Sequence, residues 1–444
     1  MNIGVIGGGM MGLATAFYLN KKGYLVTILE KENEIGGLSR STEILPGIRW
    51  DRFYHVILST DRELLRFIDE LGLSLDVQFR ETKTGFYTDG ELHSMSNVLE
   101  FLKFKPLGLF DKLRLGAGIF YTSKLNNWKR LEKIYVKSWL TRVFGRRNYE
   151  KMWEPLLRSK LGVACEKTSA AFIWAAIRRY YGTRDSGSKK EMMGCVRVGY
   201  FSILSRIQKE LQSNGTRIKT GYTVKNIEPN DGKKIVVHSL NGSRMEFDKI
   251  VATVPAPVIA KILPGRSSQF HSQLAAVRYL GVICATLVLK KSLTPFYVTN
   301  LTDPDLPFTG LIEATNVIPP EILSGRTLIY LPKYVTVNDP FNDMSDEELI
   351  DVFINALNRM FPNFSSKDII SSAVHREPYV QPLQEIGYSE NVAPMITPIK
   401  NVYLSNTTMI LNSTINNNEV IKLARKTAQL VKQEERRQVS GSYR

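Results

Sequence analysis

Three glycines and one acid carry the clearest chemical signal in this 444-residue chain: Gly7, Gly9, Gly12 and, further on, Glu30. The glycines fit G-x-G-x-x-G. Residues without side chains leave backbone N–H groups bare, so a diphosphate can come close to them. An acid about twenty residues downstream suits the hydroxyls of a ribose. The flanking elements must hold these groups in register. Residues 2–6 are a short apolar run with β-branched side chains, the pattern of a buried parallel strand. Residues 13–21 read as a helix closed by Gly23, and 24–29 as a second strand that ends at Glu30. In this strand–turn–helix–strand order, Gly7 permits the tight turn, Gly9 the approach of a pyrophosphate, and Gly12 close packing of helix on strand. Met10 and Met11 stand in the glycine turn ahead of the helix, whose N-terminus attracts the phosphate charge. Lys31, and not an arginine, follows the acid, which favours an adenosine with a free ribose over a 2′-phosphorylated one.

A second glycine pair, Gly36 and Gly37, comes just after the acid, followed by Leu38, Ser39, Arg40 and Ser41. With this pair the chain resembles the FAD-dependent superfamily of amine oxidases, protoporphyrinogen oxidases and phytoene desaturases. The resemblance implies that the pair runs along the FAD pyrophosphate, with Ser39 and Arg40 donating to the phosphates. The string Asp51-Arg-Phe-Tyr-His55 and the tryptophan-containing segments of residues 138–178 are similar to bacterial protoporphyrinogen-oxidase-like oxidoreductases. Tyr54 and His55 are then the flavin-proximal candidates, and no catalytic base is identified. Val224 matches the position whose backbone holds the adenine. Thr253-Val-Pro255 matches the turn by which the chain leaves the nucleotide sheet. Near the C-terminus Asn406 and Thr407 stand where the superfamily has Gly-Asp. Asn418 lies at the start of a helix whose N-terminal amides would face the flavin. With no cysteine in the C-terminal segment, FAD is expected to bind noncovalently.

Composition narrows the rest. Apolar residues make up 43% of the chain, an ordinary globular share, and the length exceeds that of one core. Cys165, Cys195 and Cys284 are far apart, and five histidines are scattered, so neither a disulfide framework nor a metal site is expected. The formal charge is +16, and residues 101–200 alone hold 22 Lys and Arg against 7 Asp and Glu. That concentration suits an anionic substrate or an anionic membrane surface. No nucleic-acid motif accompanies it. Residues 99–121 mix large apolar groups with lysines, a composition that suits a membrane interface. Residues 99–160 are therefore the expected membrane-facing part. No apolar run spans a bilayer, and Met1 leads directly into a strand, so the expected location is cytoplasmic, peripheral on the inner membrane face.

The fold class expected is α/β: a discontinuous Rossmann-like FAD domain, a mixed-sheet substrate domain and a helical insert. The FAD domain is assembled from 1–80, 200–265 and 385–435. Residues 81–199 form a basic helical cap, with a polar connection at 183–190. Residues 217–228 read as one strand. Residues 266–384 form the substrate domain, with a helix at 346–360 capped by Ser345. Residues 436–444 read as a charged tail. Trp139, Trp153 and Trp174 suggest a large apolar pocket. Tyr379 and Tyr388 are the tyrosines available to frame a substrate. The function implied is an FAD-dependent dehydrogenase or oxidase for a large apolar, anionic or membrane-borne molecule. Two alternatives remain: a UDP-galactopyranose-mutase-like isomerase without net redox change, and a nonenzymatic flavin-binding protein.

Overall fold

The computed structural model describes residues 1–182, 191–230, 234–265 and 268–441. The polar connection expected at 183–190 lies outside the described residues. The strand Asn2–Ile6 sits at the centre of a five-stranded parallel sheet. Leu25–Leu29 and Lys249–Ala252 flank it, and Arg217–Lys219 and Val402–Leu404 form the edges. Its strands other than the edge strand Arg217–Lys219 are largely buried because both faces are covered. One face carries the helices Met10–Asn20, Arg62–Glu70, Tyr200–Ser213 and Asn417–Gly441, which meet through Leu13, Phe17, Phe67, Ile203 and Ile421. On the other face lies an antiparallel meander of Val224–Asn230, Lys234–Ser239 and Arg244–Phe247, packed through Ile227, Val237 and Phe247.

Two sequence expectations change here. Residues 217–228 are two strands, not one. Gly221, at φ +65°, turns the chain so that Arg217–Lys219 joins the parallel sheet and Val224–Asn230 crosses to the meander. The C-terminal helix continues to Gly441, so most of the expected tail is helical. Tyr24 donates to Glu435, and Lys432 and Arg437 pair with Glu435 and Glu434, which fastens the final turns.

A seven-stranded mixed sheet forms the second layer system, in the order Ile369–Pro382, Tyr279–Leu289, Thr327–Val335, Gly310–Glu313, Val298–Leu301, Thr84–Thr88 and Glu91–Ser94. The hairpin of Thr84–Thr88 and Glu91–Ser94, at the start of the stretch expected as the helical cap, therefore extends this sheet. The helix Asp346–Met360 packs Leu349, Phe353 and Leu357 against it and starts with the capping box of Ser345 and Glu348. The helical insert has a core of its own, and Trp139, Trp153 and Trp174 all pack there. Trp174 donates to the Leu125 carbonyl at 3.2 Å. These tryptophans hold the insert together.

Candidate functional site

The two glycine turns meet face to face. Gly7 has φ +106°, and a Cβ there would lie 2.8 Å from Thr253 Oγ1. A Cβ on Gly12 would lie 1.9 Å from the Gly7 carbonyl oxygen, so helix and strand touch through bare backbone. Gly9 differs: its nearest neighbour would be Gly37 Cα at 3.8 Å. The Gly36 N–H donates to the Gly8 carbonyl at 2.8 Å, which locks the second turn onto the first. Gly36 and Gly37 both have positive φ, +118° and +54°, which side chains other than glycine tolerate poorly. Met10 and Met11 are buried at the helix start, and Ser405 donates to Met11 Sδ at 3.4 Å.

Glu30 is buried beside this groove. One carboxylate oxygen accepts from the Gly8 N–H at 2.6 Å, the other from the Glu32 N–H at 2.9 Å. A carboxylate has about four acceptor positions, so capacity remains for two hydroxyls. Lys31 is exposed and 3.2 Å from Glu32. The Tyr222 N–H donates to the Glu30 carbonyl at 2.8 Å, which brings the start of the Val224 strand alongside.

Leu38 packs on the core of the second sheet. Ser39 is buried and accepts from Asn417 Nδ2 at 3.5 Å, so the glycine-pair loop touches the start of the C-terminal helix. Arg40, expected as a phosphate donor, is placed between two acids: Nη1 lies 3.2 Å from Glu32 and Nη2 3.4 Å from Glu377. It braces the loop against the seven-stranded sheet, and burial raises the pKa of Glu377 despite that contact. Asn418 also has another task. Its Oδ1 accepts from the N–H groups of Glu63 and Leu64, at 2.8 and 3.2 Å, and caps the helix Arg62–Glu70.

Asn406 is 2% exposed. Its Oδ1 accepts from Thr408 N and Oγ1, whereas its Nδ2 is buried with no partner among the described residues. Thr407 follows it at the start of a short turn. Tyr388 donates to the Thr408 carbonyl at 3.0 Å, and Tyr379 meets Tyr279 edge to face at 5.5 Å. Burial raises Tyr279 to about 12 and Tyr388 further still, so both phenols stay protonated.

Tyr54 and His55 belong to a neighbouring aromatic crevice, lined also by Trp50, Tyr297 and Tyr330. Asp51 organises it. The Asp51 carboxylate accepts from the Tyr200 N–H at 2.9 Å and lies 3.6 Å from His55 Nδ1. Its carbonyl accepts from Tyr330 Oη at 2.6 Å. His55 lies against the Tyr200 ring at 4.6 Å between centroids, and Tyr54 Oη is 3.4 Å from Tyr334 Oη. Burial drives Tyr54, Tyr297 and Tyr330 far above the usual phenol range. These groups therefore exclude water and donate, or offer ring faces, without becoming anions. Sequence reasoning missed Asp51, Tyr200, Tyr297 and Tyr330. The usable signal was Gly199, at φ +71°, where a Cβ would lie 3.1 Å from Asp51 Oδ1.

Beside the crevice the Arg52 N–H donates to the Arg40 carbonyl at 3.0 Å, and the Phe53 and His375 rings are 6.1 Å apart. Burial, then the nearby Arg52 charge, lowers the His375 pKa to about 4.

The family model for flavin containing amine oxidoreductases matches residues 10–431. The chain belongs to this family. It is an FAD-dependent oxidoreductase. A zeta-carotene desaturase of Arabidopsis thaliana is 21% identical, over 91% of this chain and 80% of its own length. A mitochondrial protoporphyrinogen oxidase of Nicotiana tabacum is 27% identical, over 36% of this chain and 32% of its own length. An oxidoreductase structure from Methanosarcina mazei superposes with a TM-score of 0.74, at 17% identity, covering 97% of this chain and 100% of that one.

The residues present fit FAD. The open space over Gly9, the spare acceptor capacity of Glu30 and the orphaned Asn406 Nδ2 each await a polar partner. Gly9 and Gly37 would hold the diphosphate by backbone contact, on turns shaped by Gly7, Gly12 and Gly36, and Glu30 would hold the ribose.

Proposed function

We propose that this flavoenzyme dehydrogenates a large apolar molecule carrying an anionic group, taken from a membrane surface. The observation that carries the reading is the helix Leu109–Lys124. Lys112, Leu115, Gly118 and Thr122 bury one face, while Leu109, Phe110, Leu113, Phe120 and Tyr121 line the other in solvent. Phe110 is 86% exposed. Val98, Leu99 and Leu102 on the preceding helix Val98–Lys103 are exposed as well, and Lys103, Lys105 and Lys124 stand around the patch. Exposed aromatic and aliphatic groups ringed by lysines suit the acyl and headgroup layers of an anionic leaflet. Among the described residues no helix is long and apolar enough to cross a membrane. The zeta-carotene desaturase relative acts, by its name, on zeta-carotene, which is in keeping with an apolar substrate.

When bound, FAD supplies the acceptor for the electron pair leaving a C–H or N–H bond. The chain's own residues do the rest. Trp50 and the buried, protonated tyrosines keep water out of the crevice around His55. Lysines and arginines of the insert draw the anionic end.

The test is anaerobic mixing of the holoenzyme with vesicles that carry a polyene or a reduced tetrapyrrole. Bleaching of the flavin bands is expected. A flavin that stays oxidised with every such probe would overturn the reading. Turnover that needs reduced flavin and no acceptor would favour isomerase chemistry.

A further inference from the structure

A cavity of about 290 Å³ lies behind the glycine-pair loop, on the side away from Gly9. Its walls are the loop, Arg49 of the hairpin Ser41–Leu45 and Ile48–Asp51, and the helix Tyr200–Ser213. The loop separates it from the diphosphate groove: a Cβ on Gly37 would face Gly9 Cα at 3.1 Å, whereas one on Gly36 would face Leu204 Cδ1 at 2.7 Å.

The helix presents Phe201, Ser205, Gln208 and Gln212 to this space, one residue per turn along a single face. Its opposite face, with Ile203, Ile207 and Leu211, is in the core. Ser41, 3% exposed, also lines the cavity, and its hydroxyl is buried without a partner among the described residues. A buried hydroxyl left unpaired is costly, and a bound ligand would satisfy it. Arg49 lies over the Phe201 ring at 5.3 Å and 3.5 Å from Glu34. Arg49 is paired with Glu34, and Arg40, the other cation of the lining, with Glu32 and Glu377, so the cavity asks for no ion. It offers planar amides, a guanidinium–carboxylate pair, hydroxyls and one aromatic face. Those groups match the adjacent hydroxyls and the apolar ring face of a sugar, since each planar side chain can give or take two parallel hydrogen bonds.

We infer that this cavity is a second small-molecule site, distinct from the FAD groove, for a neutral hexose-sized polyol. The volume is about ten water molecules' worth, room for one such ring. The inference is independent of which substrate the flavin site oxidises.

The test uses FAD-loaded protein and saturation-transfer NMR with the methyl glycosides of glucose, galactose, mannose and N-acetylglucosamine. Saturable transfer to at least one is expected. The double substitution Gln208→Leu, Gln212→Leu alters only exposed positions, and it should weaken that binding at least tenfold with flavin content unchanged. Absence of saturable transfer from all four would overturn the inference, as would transfer undiminished in the double variant. Loss of FAD from the double variant would also overturn it, because the cavity would then belong to the cofactor site.

Discussion

Gly12→Ala puts the glycine turn to the sharpest test. The added Cβ would lie 1.9 Å from the Gly7 carbonyl oxygen. An unstrained contact is about 3.5 Å, so strand and helix must part by roughly 1.5 Å. Neither partner can rotate away, because both are backbone. Overpacking of this kind costs about 1–3 kcal/mol, and two rigid elements place it near the upper end. At about 3 kcal/mol in a chain of 444 residues, Tm should fall by roughly 3 °C. The same separation pulls Gly9 away from Gly37, so flavin should be lost as well. Gly116→Ala is the control: that glycine sits in the helix Leu109–Lys124 with nothing within 4 Å of an added Cβ. There the change should be neutral or stabilise by about 0.5–1 kcal/mol. Calorimetry and the ratio of visible to ultraviolet absorbance read both effects. A Gly12→Ala protein with wild-type Tm and full flavin would refute the close helix–strand contact.

Three further outcomes are expected. Glu30→Ala removes the acceptor for the buried Gly8 N–H and for Glu32 N–H, so the apoprotein should lose about 1–3 kcal/mol in urea unfolding and FAD should bind about tenfold or more weakly; unchanged apoprotein stability would show that the carboxylate is dispensable. Phe110→Asp with Leu113→Asp should abolish flotation with anionic liposomes, since each apolar side chain contributes about 1.5–3 kcal/mol when buried in the interface; undiminished flotation would place membrane contact elsewhere. His375 is neutral in the folded protein, with a pKa of about 4 against about 6.5 unfolded. Protonation therefore favours the unfolded chain. Its contribution, on the order of 2 kcal/mol, is complete above about pH 6.5 and is lost as pH falls toward 4. His375→Gln should flatten that part of the stability–pH curve, and an unaltered curve would assign the loss to other groups.

The nucleotide-binding half was legible because its signal is local. Glycine spacing, two apolar strands and an acid lie within the first forty residues, and each has one conformational meaning. What stayed hidden depends on distant partners. Arg40 reads as a phosphate donor until Glu377 is seen beside it, 337 residues away. Asn418 reads as a ligand contact until its Oδ1 is found capping a helix 355 residues earlier. The strand Ile369–Pro382 was not anticipated: as an edge strand it mixes His375, Arg376 and Glu377 among its apolar positions, without the run that marks an interior strand. The tryptophans of the insert suggested a pocket by composition, but large rings serve an internal core equally well, and the insert needs one. In the aromatic crevice, Asp51 was hidden inside a string read for its rings.

The central claim is that the paired glycine turns hold FAD noncovalently. The visible spectrum of purified, extensively dialysed protein, before and after addition of FAD, tests it most directly. One FAD per chain is expected, released intact on denaturation. A colourless protein that takes up no FAD would contradict the assignment of the groove.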